Sequence, residues 1–274
     1  MKKTVCALFS ALLAGSLLAA CGTDGPSGSA GVEKKEVVVF AAASMTETLN
    51  RAAELYGKDH PEVDLIFTFD SSGTLKTQIQ EGADCDLFIS AAQKQMDQLD
   101  AAADSAVNTE GLDLIQTKTR VDLLENKVVL VVPEGDPAGI LSFQDIGTDK
   151  LSLIALGNAD VPVGQYSQEI LTEMGLWDEL NQQHKITFGS NVKQVTAQVA
   201  EGAVDCGIIY ATDAYSEGLR IVAAAPEGTH RPVIYPAAVL KNAKQPQAAQ
   251  DFLDFLRSDA CRAIFEEVGF SVVS

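Results

Sequence analysis

Apolar and polar positions along this chain switch repeatedly between a period of two and a period near 3.6. Val37-Val38-Val39-Phe40-Ala41-Ala42-Ala43 is an apolar, β-branched run ending in small residues, the pattern of a buried parallel strand. Behind it, Ser44-Met45-Thr46-Glu47 has the spacing of a capping box that opens a helix, and Leu49, Ala52, Ala53 and Tyr56 continue it to about residue 58. Val63, Leu65, Phe67 and Phe69 then alternate as a strand does. Leu75 and Ile79 mark a short helix stopped at Gly82, Leu87-Phe88-Ile89 is the next strand, and Met96 and Leu99 stripe another helix. Strand, helix, strand, helix, strand predicts a parallel sheet covered on both faces.

The run Val128 to Val132 is apolar enough to leave one lobe and enter a second. There the pattern repeats as strand Leu151 to Leu156, loop 157–164, helix Gln165 to Met174 before Gly175, and strand Ile186 to Phe188. Asn191 is a candidate cap for a helix reaching Glu201, and Cys206 to Ile209 is a strand. Residues 198–210 echo residues 78–90, each a helix end, a Gly stop and a buried strand, which suggests two lobes of like topology. Strands 219–224 and 232–240, the second holding Tyr235-Pro236, and helices 246–257 and 260–268 close the chain. These last elements are expected to cross back and complete the first lobe, so two crossings make a hinge.

The chemistry suggested by this pattern lies where strands hand over to helices. At Ser44, free backbone N–H groups, the positive end of a helix dipole and a hydroxyl converge, which suits an anion. The same arrangement returns at Asp70-Ser71-Ser72-Gly73-Thr74. Two such corners can grip one small oxyanion. Ser44 also fits a plain N-cap, Ser72 fits simple turn chemistry, and Tyr210 at a strand end fits a half-buried packing aromatic.

Lys2 and Lys3 precede an apolar stretch from about Val5 to Leu18-Ala19-Ala20-Cys21, a secretory signal too short to span a membrane. Cys after small residues resembles a lipobox, implying cleavage before Cys21 and lipid on its sulfur; an ordinary signal peptide with a chance Cys is the alternative. Residues 21–35 read as a lipidated Cys followed by a flexible tether. Removing residues 1–20 takes away two of the 20 basic residues and none of the 38 acidic ones, leaving 18 against 38 and a net charge of −20. That argues against nucleic acid and against long-range steering of anions, so any anion must be held by local donors. Cys85, Cys206 and Cys261 have no paired spacing and read as small buried residues, with an 85–206 bridge as the lesser option. His60, His184 and His230 are too scattered for zinc.

Five motifs taken in order carry a resemblance. They are Phe40-Ala-Ala-Ala-Ser44, Ser71-Ser72-Gly-Thr-Leu75, the Gln78 to Ala91 block, Val161-Pro162-Val163-Gly164-x-Tyr166, and Gly207-Ile-Ile-Tyr210-Ala-x-Asp213-Ala214. From about residue 36 to Val268-Gly269-Phe270 the chain resembles the periplasmic molybdate-binding proteins of ABC transporters, the ModA family. The resemblance implies an α/β, type II periplasmic-binding-protein fold, two lobes joined by a two-stranded hinge with the ligand in the cleft. The lobes would be residues 36–125 with 226–274 and residues 126–225.

It implies a protein that captures molybdate or tungstate by hydrogen bonds alone and delivers it to a permease driven by an ATPase. Ser44 and Ser72 would donate from the first lobe, the Val163 and Val192 N–H groups and the Tyr210 hydroxyl from the second. Molybdenum would enter only as the oxyanion, held by these same residues, and no cofactor is implied. The protein is expected to be a monomer, lipid-anchored through Cys21 to the outer face of the bacterial cytoplasmic membrane. Residue chemistry agrees, since a tetrahedral dianion offers acceptors only. Two departures matter: Gly73 stands where the family often has a third Ser, and Asp70 sits beside the serines. Asp70 is expected to face away, and it keeps sulfate or phosphate alive as the alternative ligand. An enzyme is not expected, because no nucleophile elbow, dinucleotide fingerprint, P-loop or metalloprotease motif is found. An organic solute would call for an Arg and Asp pair at the strand ends, which the corners lack.

Overall fold

The computed structural model describes residues 34–273. The signal segment, Cys21 and the first part of the tether lie outside the described residues. Strand β1 (Lys35–Ala42) leads through a 3-10 turn (Ala43–Met45) to α1 (Thr46–Asp59), then β2 (Val63–Asp70), α2 (Ser72–Gln80), β3 (Leu87–Ile89) and α3 (Gln93–Asp97). The chain passes along β4 (Val121–Asn126) and, one residue later, enters β5 (Val128–Val132). It continues through β6 (Ile154–Gly157), α4 (Pro162–Glu173), α5 (Trp177–Gln182), β7 (Ile186–Gly189) and α6 (Val192–Ala200). Next come β8 (Cys206–Tyr210), α7 (Ala211–Glu217) and β9 (Arg220–Ala224). It ends with β10 (Val233–Val239), α8 (Pro246–Leu256), α9 (Asp259–Glu267) and β11 (Ser271–Val272).

Two sheets result, ordered β11-β4-β10-β3-β1-β2 and β7-β6-β8-β5-β9. Their centres match: β2-β1-β3-β10-β4 and β7-β6-β8-β5-β9 place equivalent strands side by side, so the echo between residues 78–90 and 198–210 reflects like topology. Each sheet is mixed. β1, β2 and β3 are parallel, as are β6, β7 and β8, but β10 runs antiparallel between β3 and β4, and β5 antiparallel between β8 and β9. The parallel order expected of β1, β2 and β3 holds, and the antiparallel members are β10 and β5, strands on which the chain crosses between the two sheets.

The chain passes from one sheet to the other at Lys127 and back between β9 and β10. The C-terminal elements do complete the first sheet's core: Asp86 accepts from Val38 N with Oδ2 (2.8 Å) and from Gln245 N with Oδ1 (2.9 Å), tying the start of α8 to β1. Phe252 is fully buried against Tyr56 (centroids 5.2 Å apart) and Phe67 (6.2 Å), a contact whose burial contributes about 1.5–3 kcal/mol. Cys85, Cys206 and Cys261 are buried and free, and burial raises each thiol.

The two-residue β11 and the short α5 and α7 escape the pattern because each shows too little of a period. α5 buries only Leu180, and α7 starts at the residue after β8 ends. The Ser44 capping box is also absent: Ser44 lies inside the 3-10 turn, Met45 is the N-cap of α1, and no side chain caps that helix. Its hydroxyl is engaged elsewhere.

Candidate oxyanion site

In both lobes the helices follow parallel strands, so helix N-termini gather at the carboxyl ends of β1, β2, β6 and β7, the usual place for a ligand in such sheets. Three first turns meet here: α2 with Ser71 as N-cap, α4 with Val161 as N-cap and Pro162 at its first position, and α6 with Asn191 as N-cap. First-turn N–H groups have no partner within the helix, and the dipoles bring roughly half a positive charge to each end. The β6–α4 turn needs Gly164, where a Cβ would stand 2.3 Å from the Gly157 carbonyl oxygen.

Ser44, Ser72, Val163, Val192 and Tyr210, drawn from both lobes, all border one cavity, and every one is at most 5 % exposed. The cavity is small, about 10 Å³, far below the roughly 300–1,000 Å³ of pockets that take organic ligands, so it suits nothing larger than a compact ion. Its wall contains no Lys or Arg.

Hydrogen bonds around the serines leave their O–H groups free to point inward. Asn126 Nδ2, which can only donate, reaches Thr212 Oγ1 (2.9 Å) and the Tyr235 hydroxyl (3.2 Å), and Tyr235 OH lies 2.9 Å from Ser44 Oγ. With Tyr235 donating to Ser44, the serine keeps its own proton to give. Ser72 Oγ accepts from Ala91 N (2.9 Å), with the same consequence. Ser71, the other candidate in that turn, uses its hydroxyl on the cap, accepting from Thr74 N (3.1 Å) and bonding Thr74 Oγ1 (2.9 Å).

The Tyr210 hydroxyl is buried without a hydrogen-bond partner. Burial, reinforced by Tyr235, Tyr166 and Asp213, holds this phenol well above its ordinary range, so it remains a neutral donor. Such orphaned groups are rare and call for a partner.

Asp70 departs from expectation. It borders the cavity instead of facing away, because Oδ1 accepts from Ser71 N (2.7 Å) and from Asn191 Nδ2 (3.1 Å) across the cleft. Three further features lie outside any sequence pattern. Tyr235 and Asn126 support Ser44 from the crossing strands, Lys193 Nζ bridges the cleft to Glu47 (2.9 and 3.0 Å), and Gly73 packs on Asp160 of the opposite lobe. Tyr235 stands out in sequence only as Tyr-Pro within a strand, with nothing to connect it to Ser44.

Two α/β lobes that the chain links twice and that meet over a small donor-lined cavity define a two-lobed solute-binding protein of the type II class. A family model described as a bacterial extracellular solute-binding protein matches residues 37–271. YvgL of Bacillus subtilis, named as an ABC transporter substrate-binding lipoprotein, is 35% identical over 266 residues, 96% of this chain and 97% of its own. Molybdate-binding protein ModA of Haemophilus influenzae is 36% identical over 241 residues, 86% and 90% of the two chains. A solved substrate-binding domain of a molybdenum ABC transporter from Clostridium difficile is 37% identical, with a TM-score of 0.64, covering 88% of this chain and 100% of that one. The chain belongs to the bacterial extracellular solute-binding proteins, and within them to the ModA family. It is the extracytoplasmic binding component of an ABC importer.

Proposed function

We propose that this protein captures molybdate, and with it tungstate, through neutral donors and hands the ion to a permease and its ATPase. The observation that carries the reading is the buried, unpartnered Tyr210 hydroxyl on a cation-free wall shared by both lobes. Ser44 and Ser72 donate from one side, Tyr210 and the Val163 and Val192 N–H groups from the other. A hydrogen bond to a charged acceptor contributes about 1.5–3 kcal/mol, so neutral donors suffice. The lobes are residues 36–125 with 226–274 and residues 126–225, a division that sheet membership supports except at Asn126, the last residue of β4 in the first sheet. Capture closes them over the ion, and no chemical step is involved.

The family and the lipoprotein name of YvgL support signal cleavage before Cys21 and a lipid anchor there, which would hold a monomer at the outer face of the cytoplasmic membrane. Among the described residues no helix is long and apolar enough to cross a membrane.

The test is calorimetric titration of the chain from residue 32 with molybdate, tungstate, sulfate and phosphate. The expected result is tight 1:1 binding of the first two with sulfate silent, because a smaller tetrahedron leaves donors beyond good hydrogen-bond distance. Silence for molybdate would overturn the reading. Asp70 on the wall favours a second one, a protonated oxyanion such as hydrogen phosphate donating to the carboxylate, and a phosphate response lost in Asp70→Asn would establish it.

Tyr210→Phe separates binding from folding. Since the hydroxyl has no partner in the protein, its removal is expected to leave the melting temperature of the ligand-free protein unchanged or raised. Molybdate affinity is expected to fall roughly 10- to 150-fold, the value of one charged hydrogen bond.

A further inference from the structure

Asp213 has no role in the site described above, yet its situation is unusual. Both carboxylate oxygens are buried and neither has a hydrogen-bond partner. Lys193 Nζ stands 3.5 Å from Oδ1, and this same ammonium reaches across the cleft to both oxygens of Glu47. Lys193 is the residue after Val192 in the first turn of α6, Glu47 lies three residues after Ser44, and Asp213 three after Tyr210. The other titratable groups facing Asp213 are Glu217 on its own helix and the hydroxyls of Tyr210 and Tyr235 on β8 and β10. Two carboxylates therefore share one ammonium beside a cavity proposed to hold a dianion, and the triad spans both lobes.

The geometry points to Lys193 and Asp213 as positioning residues for the anion site: closure docks Glu47 on Lys193, fixes the α6 turn that carries the Val192 N–H, and is accompanied by uptake of a proton on Asp213. This rests on the oxyanion reading above. Charge counting supports it. With both carboxylates ionised the triad carries one net negative charge, which repels the ion. Protonating Asp213 makes the triad neutral. Burial, opposed by Lys193 and reinforced by Glu47 and Glu217, pushes the Asp213 carboxyl up to about 7 with the lobes together. When the lobes part, Glu47 leaves and water reaches the cleft, which returns the group towards its ordinary value. The closed state thus holds the proton more tightly. Closure, and affinity with it, is favoured at low pH, declines as pH rises through 7, and levels off above it.

The experiment is calorimetric titration with molybdate from pH 6 to pH 8, run in pairs of oxyanion-free buffers that differ in ionisation enthalpy. The wild-type protein is expected to take up about half a proton at pH 7 and to bind about tenfold more weakly at pH 8 than at pH 6. Asp213→Asn is expected to abolish both the uptake and the slope, which a merely structural role would leave in place. Should that variant not fold, Glu47→Gln, changed at a half-exposed side chain, is expected to fold and to show a reduced uptake. Tight molybdate binding with no proton uptake, or wild-type uptake persisting in Asp213→Asn or Glu47→Gln, overturns the inference and leaves the oxyanion reading standing. Absence of any molybdate binding heat at every pH overturns both.

Discussion

Replacing Ser44 and Ser72 together by Ala is expected to weaken molybdate binding by about 3–6 kcal/mol, roughly two to four orders of magnitude. Both hydroxyls have their acceptor side satisfied from within the protein, by Tyr235 OH at 2.9 Å and by Ala91 N at 2.9 Å, so each can offer its proton to the ion. Linked donors polarise one another, and the relay from Asn126 through Tyr235 to Ser44 strengthens the final O–H. The double change leaves Tyr235 accepting from Asn126 but without an acceptor for its own proton, and Ala91 N loses its partner as well. Each loss costs about 1–3 kcal/mol of stability. Titration calorimetry and thermal melting of the ligand-free protein separate the two quantities. Affinity within threefold of the wild type would mean that the ion is held elsewhere.

How much of this was legible in the sequence varies by element. The strand-to-helix corners at Ser44, Ser71-Ser72 and Asn191 follow from local chemistry, since β-branched runs, caps and Gly stops act over a few residues. Asn191 does cap α6, its side chain accepting from Gln194 N at 3.1 Å. At Ser44 the corner is where the pattern puts it, but the hydroxyl bonds to Tyr235, 191 residues away, instead of capping α1. No local signal could anticipate that competition. The same holds for Asp70, drawn to the cavity wall by Asn191 at a separation of 121 residues. Val163 and Val192 are indistinguishable from core residues by pattern, because what distinguishes them is the backbone N–H of a first helical turn. Asp213 lies within a motif that carries the resemblance, but its lack of hydrogen-bond partners and its place beside Lys193 emerge only from the fold.

Gly73→Ala is expected to uncouple capture from folding in the opposite sense to the serine changes. A Cβ built on Gly73 would stand 2.1 Å from the Asp160 carbonyl oxygen and 2.9 Å from its carbonyl carbon, distances that real Cβ atoms do not tolerate. The obstruction is backbone of the opposite lobe, so it cannot be relieved by a rotamer change. The lobes must stay further apart. Separation of about 1 Å lengthens every donor contact that crosses the cavity, and hydrogen bonds weaken steeply beyond 3.2 Å. The Asp70–Asn191 and Glu47–Lys193 bonds, which also span the cleft, are expected to be lost with them. In the open protein Gly73 has no such neighbour, and it sits in the first turn of α2, where Ala is the better helix former by up to about 1 kcal/mol. The variant should therefore melt at or slightly above the wild-type temperature without ligand, while binding molybdate at least 100-fold more weakly. Small-angle scattering with saturating molybdate is expected to show the wild type contracting and the variant failing to do so. Wild-type contraction and affinity in the variant would mean that Gly73 and Asp160 do not meet in the ligand-bound protein.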